Sequence, residues 1–255
     1  MKIFILTKNR VGKQLTLANL PLSLYKDTYL VCPKEEAEQH KHQSWNPPDH
    51  VKGVCMTRQW IIENAENVFG EHKIFMLDDD LSFNIRIPAS TKLRKIASDA
   101  ELYQAFDLMY RWMDEIPVVG MSTRQGNNTV EEGWADNTRI LRFFGINTRE
   151  ATARFDRLRV MEDYDFLLQM LRQGKQNRVL YLFSQDQPAS GSAGGCSDYR
   201  TLELQAECAN KLADLHPRFV KVVQKQPKTG WLDGQPRTDV TIYWKKAFKS
   251  SGVVL

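Results

Sequence analysis

Long apolar runs are missing from this chain. No segment approaches the ~18–20 consecutive apolar residues that a membrane-spanning helix needs. The first apolar stretch, residues 1–6, gives way at once to Thr7-Lys8-Asn9-Arg10. That is too short for the apolar centre of a signal peptide, and no small-residue cleavage site follows. The expectation is a soluble, intracellular, cytoplasmic protein. Cysteine is scarce: Cys32, Cys55, Cys196 and Cys208 are scattered and form no C-x-x-C pair. A zinc ribbon or a thioredoxin-type redox centre is therefore not expected, and the usage fits a reducing compartment. Both G-x-x-x-x-G-K-[ST] and G-x-G-x-x-G are absent, so P-loop and dinucleotide-binding readings lose their main support. The charge excess is small, 35 Lys+Arg against 31 Asp+Glu. It permits a polyanionic partner without demanding one. What remains is an ordinary globular composition, 42% hydrophobic and 26% charged over 255 residues. That is enough chain to bury a sizeable core.

Short β-rich runs alternate with helical patterns. Strands are expected at residues 2–7, 28–32, 51–54, 73–77, 117–122, 139–147, 178–183 and 238–244. Helices are expected at 57–68, with Thr57 as cap, and at 99–115, 162–172 and 199–212, with residues 34–43 helix-compatible. The alternation predicts an α/β fold, a Rossmann-type sandwich with a mostly parallel central sheet flanked by helices. No composition shift marks a boundary, so a single domain is expected over residues 1–255. Residues 125–136 and 187–198 read as long loops with a binding role.

Asp78-Asp79-Asp80 directly follows the apolar Ile74–Leu77 run. Three carboxylates at a strand end repel one another, and folding alone has no use for them. Alternate residues of an extended segment project the same way, which sets Asp78 and Asp80 toward one site. Hard cations such as Mg²⁺ or Mn²⁺ take such carboxylates together with phosphate oxygens. Ligands of open α/β sheets bind at the carboxyl ends of strands. A solvated acidic turn would carry the same residues, and the motif alone does not choose among a glycosyltransferase, a nuclease and a phosphatase. Thr7, Lys8, Asn9 and Arg10 end the first strand with polar and cationic groups suited to a nucleotide. Gly53 and Arg58 at the opening of a helix suit an anion.

In this order the strand ending in TKNR, Gly53…Arg58-Gln59 and the strand ending in Asp78-Asp79-Asp80 resemble the nucleotide half of a GT-A glycosyltransferase. The resemblance implies a metal-dependent enzyme using a nucleotide sugar, a UDP-sugar by preference, with Mn²⁺ or Mg²⁺. It places Asp80 on the metal, and Asp78 on the metal or on the ribose. Thr7, Lys8, Asn9, Arg10, Arg58, Asp78 and Asp79 would line the nucleotide-sugar pocket, residues 1–85 forming the nucleotide-binding half and 86–255 the acceptor half. The run Glu162-Asp163-Tyr164-Asp165 at a helix start is similar to the E-D motif of inverting GT-A enzymes. It makes Asp163 the base that takes the acceptor hydroxyl's proton, with Glu162 beside it. Acidic residues also favour a helix's first turn for electrostatic reasons alone, and a helix N-terminus lowers a carboxylate's pKa unless burial or neighbouring acids oppose it.

A narrower resemblance is to the TET/JBP-associated glycosyltransferases of phages and some eukaryotes. It rests on T-R-Q-W at Thr57 to Trp60, IFMLDDD-L-S-F, E-D-Y-D, Ala193-Gly194-Gly195-Cys196, R-T-D-V and W-K-K. It implies as acceptor the hydroxymethyl group of 5-hydroxymethylcytosine or 5-hydroxymethyluracil in DNA. Gly194 and Gly195 would close over the donor diphosphate with backbone N–H groups. Six arginines (139, 142, 149, 154, 157, 159) face two acids between residues 139 and 159, and residues 218–249 carry eight Lys/Arg against two acids. Such stripes match a phosphate backbone, and Arg139, Arg142, Arg154, Arg157, Arg159, Lys245 and Lys246 are the DNA-binding candidates. Trp134, Trp231 and Phe143 are candidates to wedge or stack against a base, and His216 is a candidate third metal ligand. The competing readings are a GT-A enzyme acting on a small molecule, glycan or protein, a nuclease using Asp78, Asp80 and Glu162, and a non-catalytic DNA-binding module.

Overall fold

The computed structural model describes residues 1–87, 93–96, 98–125, 132–187, 199–226 and 235–253. In chain order, β1 (Lys2–Leu6) leads through a short helix α1 (Leu15–Asn19) to β2 (Thr28–Val31). The helical turn α2 (Lys34–Ala37) and the two-residue β3 (Ser44–Trp45) follow. Then come α3 (Val54–Phe69), β4 (Lys73–Asp78), β5 (Ser82–Arg86), β6 (Leu93–Lys95) and α4 (Asp99–Trp112). Next are β7 (Val118–Thr123), β8 (Trp134–Asp136), β9 (Phe143–Asn147), α5 (Glu162–Arg172) and β10 (Asn177–Asp186). The last elements are α6 (Leu202–Leu215), β11 (Val220–Lys225), β12 (Arg237–Ile242) and α7 (Trp244–Lys249).

Ten strands form one sheet in the order β3-β2-β1-β4-β9-β7-β10-β5-β6, with β8 also paired to β10. Seven of them run one way; β9, β5 and β8 run against the rest. The alternation of β1 and β4 builds a layer on each face. Ile3, Ile5, Phe75 and Leu77 pack against Leu102, Phe106 and Met109 of α4. Phe4, Ile74 and Met76 pack on the other face against Ile61 and Ala65 of α3 and Phe166 and Met170 of α5. Burial on both faces is why these strands read as unbroken apolar runs. β9 threads between β4 and β7 only because Gly145 has no side chain: a Cβ there would lie 2.6 Å from Val119 Cγ2 and 2.8 Å from Phe75 Cε1. Separately, β11 and β12 form an antiparallel hairpin that packs with α6, α7 and the far side of α5 in a third cluster.

Several boundaries differ from the sequence-based expectation. Residues 51–54 are not a strand: Gly53 turns the chain at φ 84° and Val54 already begins α3. Thr57 is therefore not the cap but a first-turn residue, its Oγ1 donating back to the Gly53 carbonyl at 3.0 Å. The helix in residues 34–43 is one turn, α2. The strand expected at 139–147 starts only at Phe143, because Arg142 takes φ 64° and breaks the extended run. β3, β5, β6, β8 and β11, short or interrupted by polar residues, carry no strand expectation, and β8 falls within the stretch 125–136 expected as a loop.

Candidate functional site

β1 lies between β2 and β4, so the chain leaves it to one side and returns on the other. Ligands of α/β sheets bind at such a reversal, beyond the strand C-termini. Both acidic and cationic candidates of the N-terminal half lie there. Thr7 Oγ1 donates to Asp79 Oδ2 at 2.6 Å and accepts from Gln14 Nε2 at 2.9 Å. Arg10 Nη1 bridges Asp79 Oδ1 at 2.8 Å and Asp80 Oδ2 at 2.9 Å. Asn9 adopts φ 58°, which an asparagine tolerates, and its N–H meets both carboxylate oxygens of Glu36, at 3.1 and 3.0 Å. Asp79 is buried, and desolvation raises its pKa to about 6 against the lowering effect of Thr7 and Arg10. Lys8 is exposed.

Arg58 joins this cluster to the second acidic motif. Projecting from α3, it donates from Nη2 to Asp78 Oδ1 at 2.9 Å and from Nη1 to Glu162 Oε1 at 2.7 Å. Its guanidinium lies 5.2 Å from the Phe144 ring centre and 5.9 Å from that of Phe155. The adjoining Gln59 fixes that floor, accepting the Phe155 N–H at 2.8 Å, and Phe155 stacks on Phe166 with centroids 3.9 Å apart. The apolar floor makes charge expensive. Burial raises the pKa of Glu162 to about 7 and raises those of Asp163 and Asp78, each opposed by Arg58. The lowering effect of the helix N-terminus thus loses to desolvation. Arg200 and Arg139 also oppose the rise at Asp163.

Backbone strain gathers at the same place. Arg142 and Met161, at φ 64° and 62°, are left-handed residues without a glycine's freedom. The Arg142 carbonyl accepts the Asp78 N–H at 3.0 Å, and Met161 immediately precedes Glu162. Such conformations cost of order 1–3 kcal/mol each and cluster at functional sites.

The remaining candidates scatter. Arg139 lines a pocket of about 320 Å³ beside Trp244, and Lys245 and Lys246 line an adjoining one of about 330 Å³. Arg154 is paired with Asp156 and Glu63, and Arg157 with the fully buried Asp165. Arg159 lies 5.6 Å from the Tyr199 ring centre. Phe143 is wholly buried in the core, which overturns its reading as a wedge. Trp134 is half-exposed, with Arg178 5.5 Å from its ring centre. His216 is not placed to ligate a metal at the surface: it is fully buried, Nε2 lying 2.7 Å from Asp165 Oδ1 and Nδ1 3.0 Å from Arg172 Nη1. Gly194, Gly195 and Trp231 lie outside the described residues. Gln14, Glu36 and Arg200 carried no sequence signal, since nothing in their local sequence sets them apart and their roles arise from tertiary contact.

Asp78 and Asp80 each give one oxygen to an arginine, and their other oxygens take no hydrogen bond among the described residues. Those residues also contain no group of three His, Cys, Asp or Glu able to hold a metal ion. A two-carboxylate donor set suits Mg²⁺ or Mn²⁺, which keep water and substrate phosphate oxygens in their remaining positions. No described helix is long and apolar enough to cross a membrane.

Comparison with known proteins gives the family. No curated protein matches. Among solved structures, A197 from STIV is similar over 74% of this chain and 87% of its own, with 12% identity and a TM-score of 0.41. The family model of the TET-associated glycosyltransferases matches residues 1–195. The chain belongs to the TET-associated glycosyltransferase family and is an enzyme of that kind.

Proposed function

We propose that this glycosyltransferase moves a sugar from a nucleotide donor, a UDP-sugar by preference, to the hydroxymethyl group of 5-hydroxymethylcytosine or 5-hydroxymethyluracil in DNA. Transfer is a single displacement with inversion. The observation that carries the reading is the bridge of Arg58 between Asp78 and Glu162. It ties the donor end of the site to the residue beside the base.

Thr7, Asn9 and Arg10 line the nucleotide side in the half formed by residues 1–85. Asp78 and Asp80 would hold a divalent ion, which supplies charge stabilisation to the departing diphosphate. Asp163 takes the proton of the attacking hydroxyl. An alcohol is a weak nucleophile, and a carboxylate with a raised pKa is a better base for it near neutral pH. Arg58 keeps Glu162 and Asp78 apart and partly neutralised, so that Asp163 is the freer acid. The pairing of the enclosed Glu162 with Arg58 argues against a nuclease, because it occupies the carboxylate that a second cation would need.

The test is mass analysis of nucleosides from DNA containing a hydroxymethylpyrimidine, treated with the protein, Mn²⁺ and UDP-sugars, with unmodified DNA as control. A gain of one sugar on hydroxymethylated DNA alone is expected. It should be lost with chelator, with Asp80→Ala and with Asp163→Ala. Metal-dependent donor turnover without a DNA product would remove DNA as the acceptor.

A further inference from the structure

The sheet opens beside the end of β7. Leu180 of β10 pairs with Met121, but the next pairing is Ser184 with Ser122, so residues 181–183 leave the ladder. Bulges of this kind re-aim side chains next to active sites. Tyr181, carried out of register, lines the pocket of about 320 Å³ together with Met121, Leu141 and Trp244. Polar groups in its wall include Thr123, Thr138 and the exposed Arg139. The hydroxyls of Thr123 and Thr138 take no hydrogen bond among the described residues. Thr138 is held instead by its backbone, whose N–H and carbonyl each meet the Asn177 amide at 2.9 Å. An aromatic wall with unpaired neutral hydroxyls suits a flat, uncharged ring with a polar edge. Every nucleobase offers a face to stack, and a hydroxyl can both donate to its edge and accept from it. The volume is at the lower end of small-molecule sites, which run from about 300 to 1,000 Å³.

The pocket's place in the sheet ties it to the acidic groups. β4 and β7 run parallel with antiparallel β9 between them, so their C-terminal ends lie on one edge of the sheet. One segment joins the two ends. Leu141 lines the pocket, and the next residue, Arg142, accepts the Asp78 N–H at 3.0 Å through its carbonyl. The pocket also adjoins the second acidic motif. Trp244 meets the Tyr164 ring edge-on at 5.8 Å, and Tyr164 follows Asp163 in the chain. Arg139 is close enough to Asp163 to act on its charge. Trp244 is half-buried and also lines the second pocket of about 330 Å³, so it stands between two open spaces.

We propose that this pocket receives the acceptor pyrimidine turned out of the DNA stack, held on Trp244 and read at its edge by Thr138 and Thr123, with its hydroxymethyl group toward Asp163. The proposal rests on hydroxymethylated DNA as the acceptor. A stacked base cannot enter an enclosed site, and enzymes that act on a base in a duplex extrude it into a fitted pocket. The donor's uracil is a pyrimidine as well, so each source has its own arm in the test.

The first measurement uses a duplex in which the hydroxymethylpyrimidine lies beside 2-aminopurine, a base that brightens when its neighbour leaves the stack. The intact protein with UDP and Mn²⁺ should brighten it. Trp244→Leu should weaken binding of this duplex about 5- to 100-fold and abolish the brightening, and Trp244→Phe, which keeps a ring, should restore much of both. The second measurement is the KM for hydroxymethylated DNA in sugar transfer. Thr138→Val keeps the shape and removes the hydroxyl, and should raise that KM about 2- to 10-fold. Should the leucine variant fail to fold, the valine variant still decides. Affinity for UDP with Mn²⁺ should be the same in every variant. A loss of UDP affinity equal to the loss of DNA affinity would place the donor's uracil here and overturn the acceptor assignment. Binding of the duplex by the intact protein without brightening overturns the pocket. Sugar transfer to DNA with unaltered KM in the Trp244 and Thr138 variants would leave the function standing and overturn the pocket alone. No transfer to any hydroxymethylated DNA by the intact protein overturns the function, and the pocket's assignment falls with it.

Discussion

Arg58 and Glu162 meet at 2.7 Å although 104 residues separate them, and the pair is almost wholly enclosed, with side chains 4% and 8% exposed. Breaking a buried pair leaves a charge without compensation, at a cost of about 3–5 kcal/mol. Arg58→Met is therefore expected to lower the urea midpoint severely, because it strands both Glu162 and Asp78. Glu162→Gln keeps a carbonyl acceptor for Arg58 and should cost much less. Equal losses in the two variants would show that Arg58 acts through packing on Phe144 rather than through its charge.

The raised carboxylates set a pH dependence of stability with a definite sign. The pKa of Glu162 is about 7 in the folded chain against an ordinary 4.5, and that of Asp79 is about 6 against 3.8. The folded state thus holds protons that the unfolded state has released. Its stability contribution is complete below the unfolded values and is lost as pH rises through the folded ones. Glu71 and Asp156, whose pKa values are lowered, titrate below about 4.5 and leave the higher window clean. The urea midpoint should fall between pH 5 and pH 8, and Glu162→Gln should flatten that fall. A midpoint rising across the window would refute the desolvation account.

How much of this was legible in the sequence depends on where each interaction is encoded. β4, α5 and the helix over α4 were readable because their apolar spacing repeats along the chain, and the acids after β4 stood out because a strand end has no structural use for them. Arg58 was readable as an anion partner, but that its partners would include the chain's own Glu162 was not. The contact depends on α3 and α5 sharing one face of the sheet. Arg154 and Arg157 illustrate the converse. A local excess of arginine looked like a phosphate track, yet both are engaged by carboxylates of the chain, one of them on α5. Antiparallel β9 was hidden as well, since its run is as apolar as that of a parallel strand and its place depends on Gly145.

That glycine carries its own prediction. Gly145→Ala puts a methyl group 2.6 Å from Val119 Cγ2 and 2.8 Å from Phe75 Cε1. Both neighbours belong to strands fixed on either side, so relief requires the strands to part. Overpacking of this kind costs typically 1–3 kcal/mol. Urea unfolding should show that loss, whereas Gly12→Ala, with open space around the added carbon, should lose only what its φ of 74° imposes. Equal losses would place the effect in backbone strain.

His216 separates a structural histidine from a metal ligand. Arginine can only donate, so His216 Nδ1 accepts from Arg172 and Nε2–H donates to Asp165. Asp165 also takes Gln169 Nε2 at 2.9 Å and Arg157 Nε at 3.1 Å, all without exposure of its own. Removing one partner leaves the others but unsatisfies a buried carboxylate oxygen, at about 1–3 kcal/mol or more for a charged group. His216→Ala should lower the thermal midpoint and leave the Mn²⁺ concentration for half-maximal transfer unchanged. A large rise in that concentration would restore His216 to the metal.

Asp163 is where the fold and the chemistry are most cleanly separable. Its Oδ1 accepts the Tyr164 N–H at 2.9 Å, and an asparagine amide oxygen can do the same, so Asp163→Asn should fold like the parent. It cannot take a proton, and loss of a general base typically costs 10²–10⁴ in rate. Burial raises the Asp163 pKa, so the acid limb of the transfer rate should lie above the range of an exposed aspartate. Arg139 opposes that rise, and Arg139→Gln should move the limb to still higher pH. The direction distinguishes two roles for this arginine. A group that only holds the acceptor would raise KM and leave the limb in place, whereas one that also acts on the base must shift it. If Asp163→Asn retains most of the activity, the base lies elsewhere, and Glu162, with its pKa near 7, is the carboxylate to substitute next.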